Sequence, residues 1–208
     1  MIKVNDAGLK FASGLSARTR TTMIVIHHAA AKVCSVKDVH SWHLSNGWAG
    51  IGYHYFIRKD GTIWHGRPEG TVGAHARGYN AMSIGICCEG DYMSETMPSA
   101  QRAALVALVR DIEARHDNAL EIKAHRDVCS TDCPGDNFPM KWVLDNWRKQ
   151  EVKEVRYNKI SDIPEWGKET IAALIKRGAI KGTETGLDIS EDMLRVLVIV
   201  YRGGAFNG

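Results

Sequence analysis

The amino-acid sequence predicts a mixed α/β fold, in which helices flank a central β-sheet and a small all-helical module follows at the C-terminal end. Short runs rich in β-branched residues recur between residues 22 and 125, separated by helical patterns without regular strand–helix alternation. The charged stretch QEVKEVRYNK then interrupts this pattern and is typical of a linker. We therefore expect a first domain over residues 1–150, a linker over 151–157 and a module over 158–208.

Four segments predict the strands of the sheet. Residues 22–27 form a short apolar run that is typical of a buried strand, and SIGICCEG at 83–90 is another, stopped by a glycine. Two strand-like runs surround Lys59-Asp60-Gly61, which indicates a hairpin. LEIKAH at 120–125 is a further short strand with a histidine at its end.

Helical spacing and capping residues predict the helices of the first domain. Ser35 is a suitable N-cap for a helix over residues 36–44, which Asn46-Gly47 would end. Residues 140–147 suggest a shorter helix. A longer helix starts at Ser99, and its apolar face is formed by Leu105, Leu108, Val109 and Ile112.

The C-terminal module has its own helical pattern. Ser190 is a suitable N-cap for the second of two helices, which a loop over 182–186 separates. A helical hairpin of this size has a marginal core, so we expect it to pack on a partner or on a second copy. The residues with helical spacing are Ile171, Leu174, Ile175 and Gly178 in the first helix and Leu194, Leu197, Val198 and Tyr201 in the second.

Composition excludes several classes of protein. The net charge of +3 is only mildly basic, and no basic run interleaved with aromatic residues indicates a nucleic-acid partner. The most apolar run, residues 194–201, is too short to span a bilayer, and the first twenty residues lack the apolar segment of a secretory signal. We therefore expect a chain with no membrane partner that stays in the cytoplasm unless something else releases it.

Histidines and cysteines indicate a metal site rather than a disulfide framework. The five cysteines are odd in number and irregularly spaced, which is untypical of a disulfide-bonded scaffold. His27 and His125 each end a predicted strand, and Cys133 follows eight residues after His125. Two imidazoles and one thiolate suit zinc and leave a fourth position for water. On spacing alone, ordinary core residues of the same types remain the alternative.

Four separated motifs extend this interpretation. IVIHHAA, GIGYHYFIRKDGTIWHGRP, VGAHARGYNAMSIGI and AHRDVCSTDCPG, within residues 20–148, resemble the zinc-dependent N-acetylmuramoyl-L-alanine amidases, which include bacteriophage-lysozyme amidases and peptidoglycan recognition proteins. The resemblance implies a mixed-sheet α/β fold and a Zn²⁺ cofactor. It also implies cleavage of the amide that joins the lactyl group of N-acetylmuramic acid to L-alanine in peptidoglycan.

The resemblance also implies roles for individual residues. His27, His125 and Cys133 fall on the three zinc-ligand positions of the family, and Tyr53 falls on the catalytic tyrosine. Thr131 occupies a position where relatives carry lysine or threonine, so it offers a neutral hydrogen bond to an oxyanion. The segment that holds His75 and Asn80 matches one that lines the substrate groove.

The roles of three further residues are interpreted from their positions in the sequence, without the family resemblance. Alternation along a strand places Glu89 on the same face as Cys87, either as an added general base or as a strand-end charge in solvent. Trp48 is expected either to stack on a sugar or to belong to the core. His28 follows His27 directly, so its side chain is expected on the opposite face, in a structural role.

The function that these patterns favour is that of a phage-type endolysin, which acts on the wall of a Gram-positive bacterium after release from the host cytoplasm. In the C-terminal module, SDIPEWGKETIAALIKRGAIKGTETGLDISEDMLRVLVIVYR resembles S-layer-homology-type modules, which implies wall binding. An appendage that forms a homodimer or stabilises the chain is the alternative. A bacterial autolysin, a non-catalytic recognition protein of the same fold and a metal-free thiol hydrolase using Cys133 and His125 are the competing hypotheses. The thiol hydrolase would leave His27 without a role.

Overall fold

The computed structural model describes residues 2–116, 119–148, 155–184 and 186–205. The chain forms two compact units, Met1–Gln150 and Glu151–Gly208. Residues 151–154 of the expected linker lie outside the described residues. In the described part of the chain, no helix is both long and apolar enough to cross a membrane.

The first unit is built on a six-stranded mixed sheet with the strand order β1-β4-β3-β5-β2-β6. Every neighbouring pair is parallel except the hairpin of β3 and β4. This arrangement confirms the predicted mixed α/β fold. The strands are β1 (Val4–Asn5), β2 (Met23–His28), β3 (Tyr55–Ile57), β4 (Ile63–His65), β5 (Ser83–Cys88) and β6 (Glu121–Ala124).

The two inner strands β2 and β5 are buried over almost their entire lengths. Continuous apolar sequences such as MIVI and SIGI suit this position, because both faces of a central parallel strand are covered. The hairpin of β3 and β4 closes where the sequence predicts it, and Gly61 adopts a φ of +85° in its turn. A left-handed conformation of this kind favours glycine.

Three helices cover the sheet, namely α1 (Val36–Ser45), α2 (Ser99–Ala114) and α3 (Met140–Asn146). Helix α1 begins with a capping box, in which the Ser35 hydroxyl accepts from the Asp38 amide and the Asp38 carboxylate accepts from the Ser35 amide. The predicted apolar face of α2 is fully buried against the sheet. These contacts confirm the predicted helices.

The second unit contains helices α4 (Glu165–Lys176) and α5 (Glu191–Arg202), with Ser190 capping α5 through the Met193 amide. It also contains a two-stranded antiparallel sheet of β7 (Arg156–Tyr157) and β8 (Ile189–Ser190). The prediction of an all-helical module is wrong in this detail. Strands of two residues are too short to leave an alternating pattern in the sequence, and β7 occupies the end of the expected linker.

Candidate functional site

The site begins at the carboxyl ends of the neighbouring parallel strands β2 and β6. Ile26 of β2 pairs with Ala124 of β6, so His27 and His125 follow at the same level of the sheet. Because parallel strands run in the same direction, their carboxyl ends meet at one edge. The centroids of the two imidazole rings lie 4.3 Å apart.

The loop after β6 returns Cys133 to this edge. The Arg126 amide donates to the Cys133 carbonyl at 2.9 Å, and the Arg126 guanidinium donates to the Asp132 carbonyl, which closes the loop. The Sγ of Cys133 then lies 3.8 Å from Nδ1 of His27. This loop explains how residues about a hundred positions apart in the sequence come together.

The donor atoms of His27, His125 and Cys133 all lie within 4.8 Å of one another. A tetrahedral ion held by nitrogen and sulfur at about 2.0–2.3 Å separates its ligand atoms by about 3.3–3.6 Å. The set therefore fits one metal ion after small side-chain adjustments. Among the described residues, no other cluster of three such groups has this geometry.

Burial determines the protonation states of His27 and Cys133. Burial lowers the pKa of His27, and the neighbouring His75 and His125 lower it further, so the imidazole is neutral. Burial raises the pKa of Cys133 to about 11, against the opposing effects of the His28 backbone amide and Arg126. Without a metal this thiol is protonated, which disfavours the thiol-hydrolase alternative because the thiolate is the nucleophile.

His28 lies on the opposite side of β2, as alternation predicts. Its Nδ1 accepts a hydrogen bond of 3.1 Å from the Tyr92 amide, and its ring stacks on Tyr92. The imidazole therefore has a structural contact away from the donor set.

A cleft of about 330 Å³ opens beside the cluster of His27, His125 and Cys133. His125 and Thr131 lie in its wall, and so do Trp48, Asn80 and His75, which the sequence places near the substrate. The Trp48 side chain is exposed, with its ring 4.6 Å from that of His43. The remaining residues of the wall are Ala74, Ala76, Arg77, Cys129 and Ser130.

Tyr53 lies beside the cluster of His27, His125 and Cys133, with its ring centroid 4.9 Å from that of His27. Burial raises the pKa of its phenol, and the neighbouring Cys87 and Cys133 thiols add to this effect. The phenol is therefore protonated at neutral pH and can donate a hydrogen bond. Thr131 Oγ1 accepts from the Cys133 amide at 3.3 Å, which holds the hydroxyl within the loop that carries Cys133.

Two histidines of α1 position the chain that leads to Tyr53. His40 Nδ1 accepts from the Ile51 amide at 3.1 Å, and His43 Nδ1 accepts from the Gly52 amide at 2.9 Å. Sequence reasoning alone does not reveal this positioning role. Their spacing of i, i+3 was the available signal, because it places both rings on one face of the helix.

His75 and Asn80 lie together but form contacts that the sequence does not reveal. The His75 imidazole is buried, and its Nδ1 lies 3.0 Å from Nε2 of His27. The Asn80 side-chain carbonyl accepts from the amides of His75 and Ala76, at 2.8 Å each. Both residues thus hold the wall of the cleft in place.

Glu89 does not lie with His27, His125 and Cys133. The expectation that it could act as an added general base is therefore corrected. Strand β5 ends at Cys88, so alternation no longer determines the side on which Glu89 lies. Its buried carboxylate accepts from the amides of Cys34 and Lys59 and forms an ion pair with Arg58 at 3.2 Å. With these partners the carboxylate is a structural group, neither free in solvent nor directed at the cleft.

Comparisons with known proteins agree with this geometry. Residues 17–136 match the family described as N-acetylmuramoyl-L-alanine amidase. The endolysin of Klebsiella phage KP32 is 35% identical over 65% of this chain and 91% of its own length, and peptidoglycan-recognition protein SC2 of Drosophila simulans is 37% identical over 60% and 77%.

Solved structures give the same result. The N-acetylmuramoyl-L-alanine amidase LysC from Clostridium intestinale is 39% identical, with a TM-score of 0.68 over 70% of this chain and 97% of its own. Drosophila PGRP-LB, solved as a point mutant in complex with tracheal cytotoxin, is 27% identical with a TM-score of 0.63, over 70% and 94%. The chain belongs to the N-acetylmuramoyl-L-alanine amidase family and is an enzyme of that activity, with peptidoglycan as its substrate.

Proposed function

We propose that this amidase depends on zinc and acts as a phage-type endolysin on the wall of a Gram-positive bacterium. The observation that carries the proposal is the convergence of His27, His125 and Cys133 within 4.8 Å, beside the cleft of a chain in this family. Two imidazoles and one thiolate form a donor set that suits Zn²⁺ and would leave a fourth coordination position for water.

Zinc at this position supplies a Lewis acid and activates water at neutral pH. The residues of the chain then control the protons and the charge. When water attacks the amide carbonyl, negative charge develops on the carbonyl oxygen. As the C–N bond breaks, the departing alanine nitrogen gains the proton that the attacking water loses. The protonated phenol of Tyr53 donates a hydrogen bond to the attacking water or to the oxyanion. The hydroxyl of Thr131, in the loop that carries Cys133, offers a second hydrogen bond.

The walls of the cleft suit a glycopeptide substrate. The exposed Trp48 ring offers a flat apolar face for a sugar, and the His43 ring packs against it with a centroid distance of 4.6 Å. Asn80 and Arg77 add polar groups to the lining of the same cleft. In this proposal the glycan strand lies against Trp48, and the scissile amide would lie at the cluster of His27, His125 and Cys133.

A matched pair of cysteine variants tests the zinc proposal. Cys133→Ala removes a ligand, whereas Cys34→Ala removes a buried thiol that lies in the core. We expect Cys133→Ala to lose both bound zinc and the release of alanine amino groups from peptidoglycan, and Cys34→Ala to retain both. If Cys133→Ala releases alanine amino groups at the wild-type rate, the proposal is wrong.

The assignment of residues 158–208 to wall binding is also part of the proposal. Helix α5 buries Leu194 and Val198 but exposes an apolar face to solvent. Such a face indicates a binding surface, either for a wall polymer or for a second copy of the chain. The face consists of Met193, Val196, Ile199 and Val200.

One substitution separates these two partners. Ile199→Asp places a charge on the exposed face, and Ala172→Asp places the same charge on an exposed position of α4 as the control. We expect Ile199→Asp alone to reduce sedimentation of the full chain with Gram-positive sacculi. If it instead converts a dimer to a monomer without changing sedimentation with the wall, the face is a dimer contact.

The proposed host and site of action rest on the proteins that this chain resembles. The similarity to a clostridial amidase supports a Gram-positive wall, while relatives from phages of Klebsiella and Escherichia support the endolysin role. We expect the enzyme to act on the wall after release from the host cytoplasm. Lysis of Gram-positive sacculi faster than sacculi of enterobacteria supports this host, and the reverse preference contradicts it.

A further inference from the structure

We propose that His75 is a positioning residue, which holds the His27 imidazole in the tautomer that directs the Nδ1 lone pair at the metal. The inference rests on the proposed zinc site and deepens it, because it assigns the partner that orients one of the ligands. The family resemblance places the segment that contains His75 in the wall of the substrate groove, which is a different role.

The first step is the hydrogen bond between the two imidazoles. Nε2 of His27 lies 3.0 Å from Nδ1 of His75, and both side chains are buried. A bond between two ring nitrogens needs one proton between them. Nδ1 of His27 faces the Cys133 sulfur at 3.8 Å and must present a lone pair to a metal. The proton therefore lies on Nε2 of His27, and Nδ1 of His75 accepts it.

The second step extends this assignment through His75. If Nδ1 accepts, the ring proton of neutral His75 lies on Nε2, and this nitrogen is 3.4 Å from the Ser83 hydroxyl oxygen. The Ser83 hydroxyl in turn donates to the Tyr79 carbonyl at 2.7 Å, so its oxygen is free to accept. Each hydrogen bond in this series therefore has a fixed direction, from His27 through His75 and Ser83 to the Tyr79 carbonyl. A carbonyl oxygen can only accept, so the series cannot run the other way.

The third step is the fit of the His75 ring in its pocket. A β-carbon added to Gly73 would lie 2.5 Å from Cδ2 of His75, and one added to Gly85 would lie 2.6 Å from it. The absence of side chains at these two glycines makes room for the imidazole. The Asn80 side chain holds the backbone amide of His75 at 2.8 Å. Both the ring and its backbone are therefore held in one place.

A direct contact of the His75 ring with substrate is not supported by this arrangement. Both ring nitrogens face protein partners, and only 9% of the residue is exposed. His75 lies in the wall of the cleft, but its imidazole forms a hydrogen bond with His27. The structure thus assigns it to the metal ligand rather than to the sugar.

The test measures zinc affinity by competition with a chelator on the full chain. Partners that orient a metal-ligating histidine typically contribute 10- to 100-fold to affinity. We expect His75→Ala to weaken zinc binding by about that factor. His75→Asn, whose side-chain carbonyl can replace Nδ1 as the acceptor, should recover most of the loss. The exposed His65→Ala serves as the control and should bind zinc as the wild type does.

Two further measurements keep the test independent of folding defects. Thermal unfolding of the metal-free variants identifies any that fail to fold. Gly85→Ala displaces the ring without deleting it, and it should weaken zinc binding as His75→Ala does. In the metal-free wild type, nitrogen NMR of the imidazoles should show a protonated Nε2 and an unprotonated Nδ1 at His75.

The outcomes separate this inference from the zinc proposal. If the wild type binds no zinc, the proposed function itself fails. If the wild type binds zinc and a folded His75→Ala variant binds it within twofold, the positioning role is wrong while the zinc site stands. Equal affinities of the Ala and Asn variants, both weakened, would also contradict a role that acts through the acceptor at Nδ1.

Discussion

His27 and His28 are adjacent in the sequence but lie in different environments. A strand directs successive side chains to opposite faces, so one imidazole reaches the donor set and the other reaches the Tyr92 amide. This difference could be predicted, because it depends only on local geometry. The partners of each imidazole could not, because they depend on which strands and loops are neighbours.

Replacement of the Tyr53 hydroxyl tests the role of this residue. Tyr53→Phe keeps the ring beside His27 but removes the hydrogen-bond donor. Because loss of one donor to a developing oxyanion typically lowers kcat by 10²- to 10³-fold, we expect a loss of about that size. Zinc content should stay at the wild-type level, and steady-state kinetics with metal analysis checks both. An unchanged kcat would remove Tyr53 from the mechanism.

Glu89→Gln tests the correction at that position. The substitution keeps the size of the side chain but leaves Arg58 without its buried counter-charge. We expect the free energy of unfolding to fall by about 1–3 kcal/mol, because charged hydrogen bonds of the carboxylate are lost. The kcat of the folded enzyme should not change. A large fall in kcat with normal stability would restore Glu89 as a general base.

At the scale of elements, the ends of strands β2 and β6 build the site. Apolar runs and glycines in the sequence indicate these strands, the hairpin and the three helices of the first unit. The two-residue strands β1, β7 and β8 could not be predicted, because two residues form no period. The register of Ile26 with Ala124 also depends on long-range packing, and this register brings the two histidines level.

The capping box of α1 gives a prediction at this scale. Ser35→Ala removes the hydroxyl that accepts from the Asp38 amide. Loss of such a cap typically costs about 1 kcal/mol of stability, so we expect a decrease of that size in urea unfolding. Ser35→Thr keeps a hydroxyl that can accept from the Asp38 amide and donate to the Asp38 carboxylate, so it should preserve stability. Equal losses in both variants would show that the cap does not stabilise α1.

At the scale of the whole molecule, the chemistry and the C-terminal core lie in separate compact units. The region that matches the amidase family, residues 17–136, falls within the first unit. The second unit has its own apolar core, made by α4, α5 and the small sheet. The helical pattern of this unit could be predicted from spacing, whereas the exposed apolar face of α5 depends on how the helices pack, which spacing alone does not identify.

Buried histidines predict how the stability of the protein changes with pH. Burial lowers the pKa of His54 to about 4 from an ordinary value of 6.5, and its ring accepts from Gly85 and lies 2.9 Å from the Thr71 carbonyl. Between these pH values the unfolded chain binds a proton that the folded chain does not. Stability therefore falls as pH decreases from about 6.5 to about 4, by up to about 3 kcal/mol for this group.

Urea unfolding of the metal-free protein across this range measures the effect. His54→Gln has no such titrating group, so its stability should depend less steeply on pH than that of the wild type. Identical pH dependence in the two proteins would show that His54 is not held neutral by the fold.

The central claim is that His27, His125 and Cys133 hold a zinc ion that this amidase needs for cleavage. The most direct measurement combines metal analysis of the purified chain with identification of the new chemical end in digested peptidoglycan. We predict one zinc per chain, new alanine amino groups, loss of both after treatment with a chelator, and recovery when zinc is restored. Full release of alanine amino groups by the metal-free protein would contradict the account.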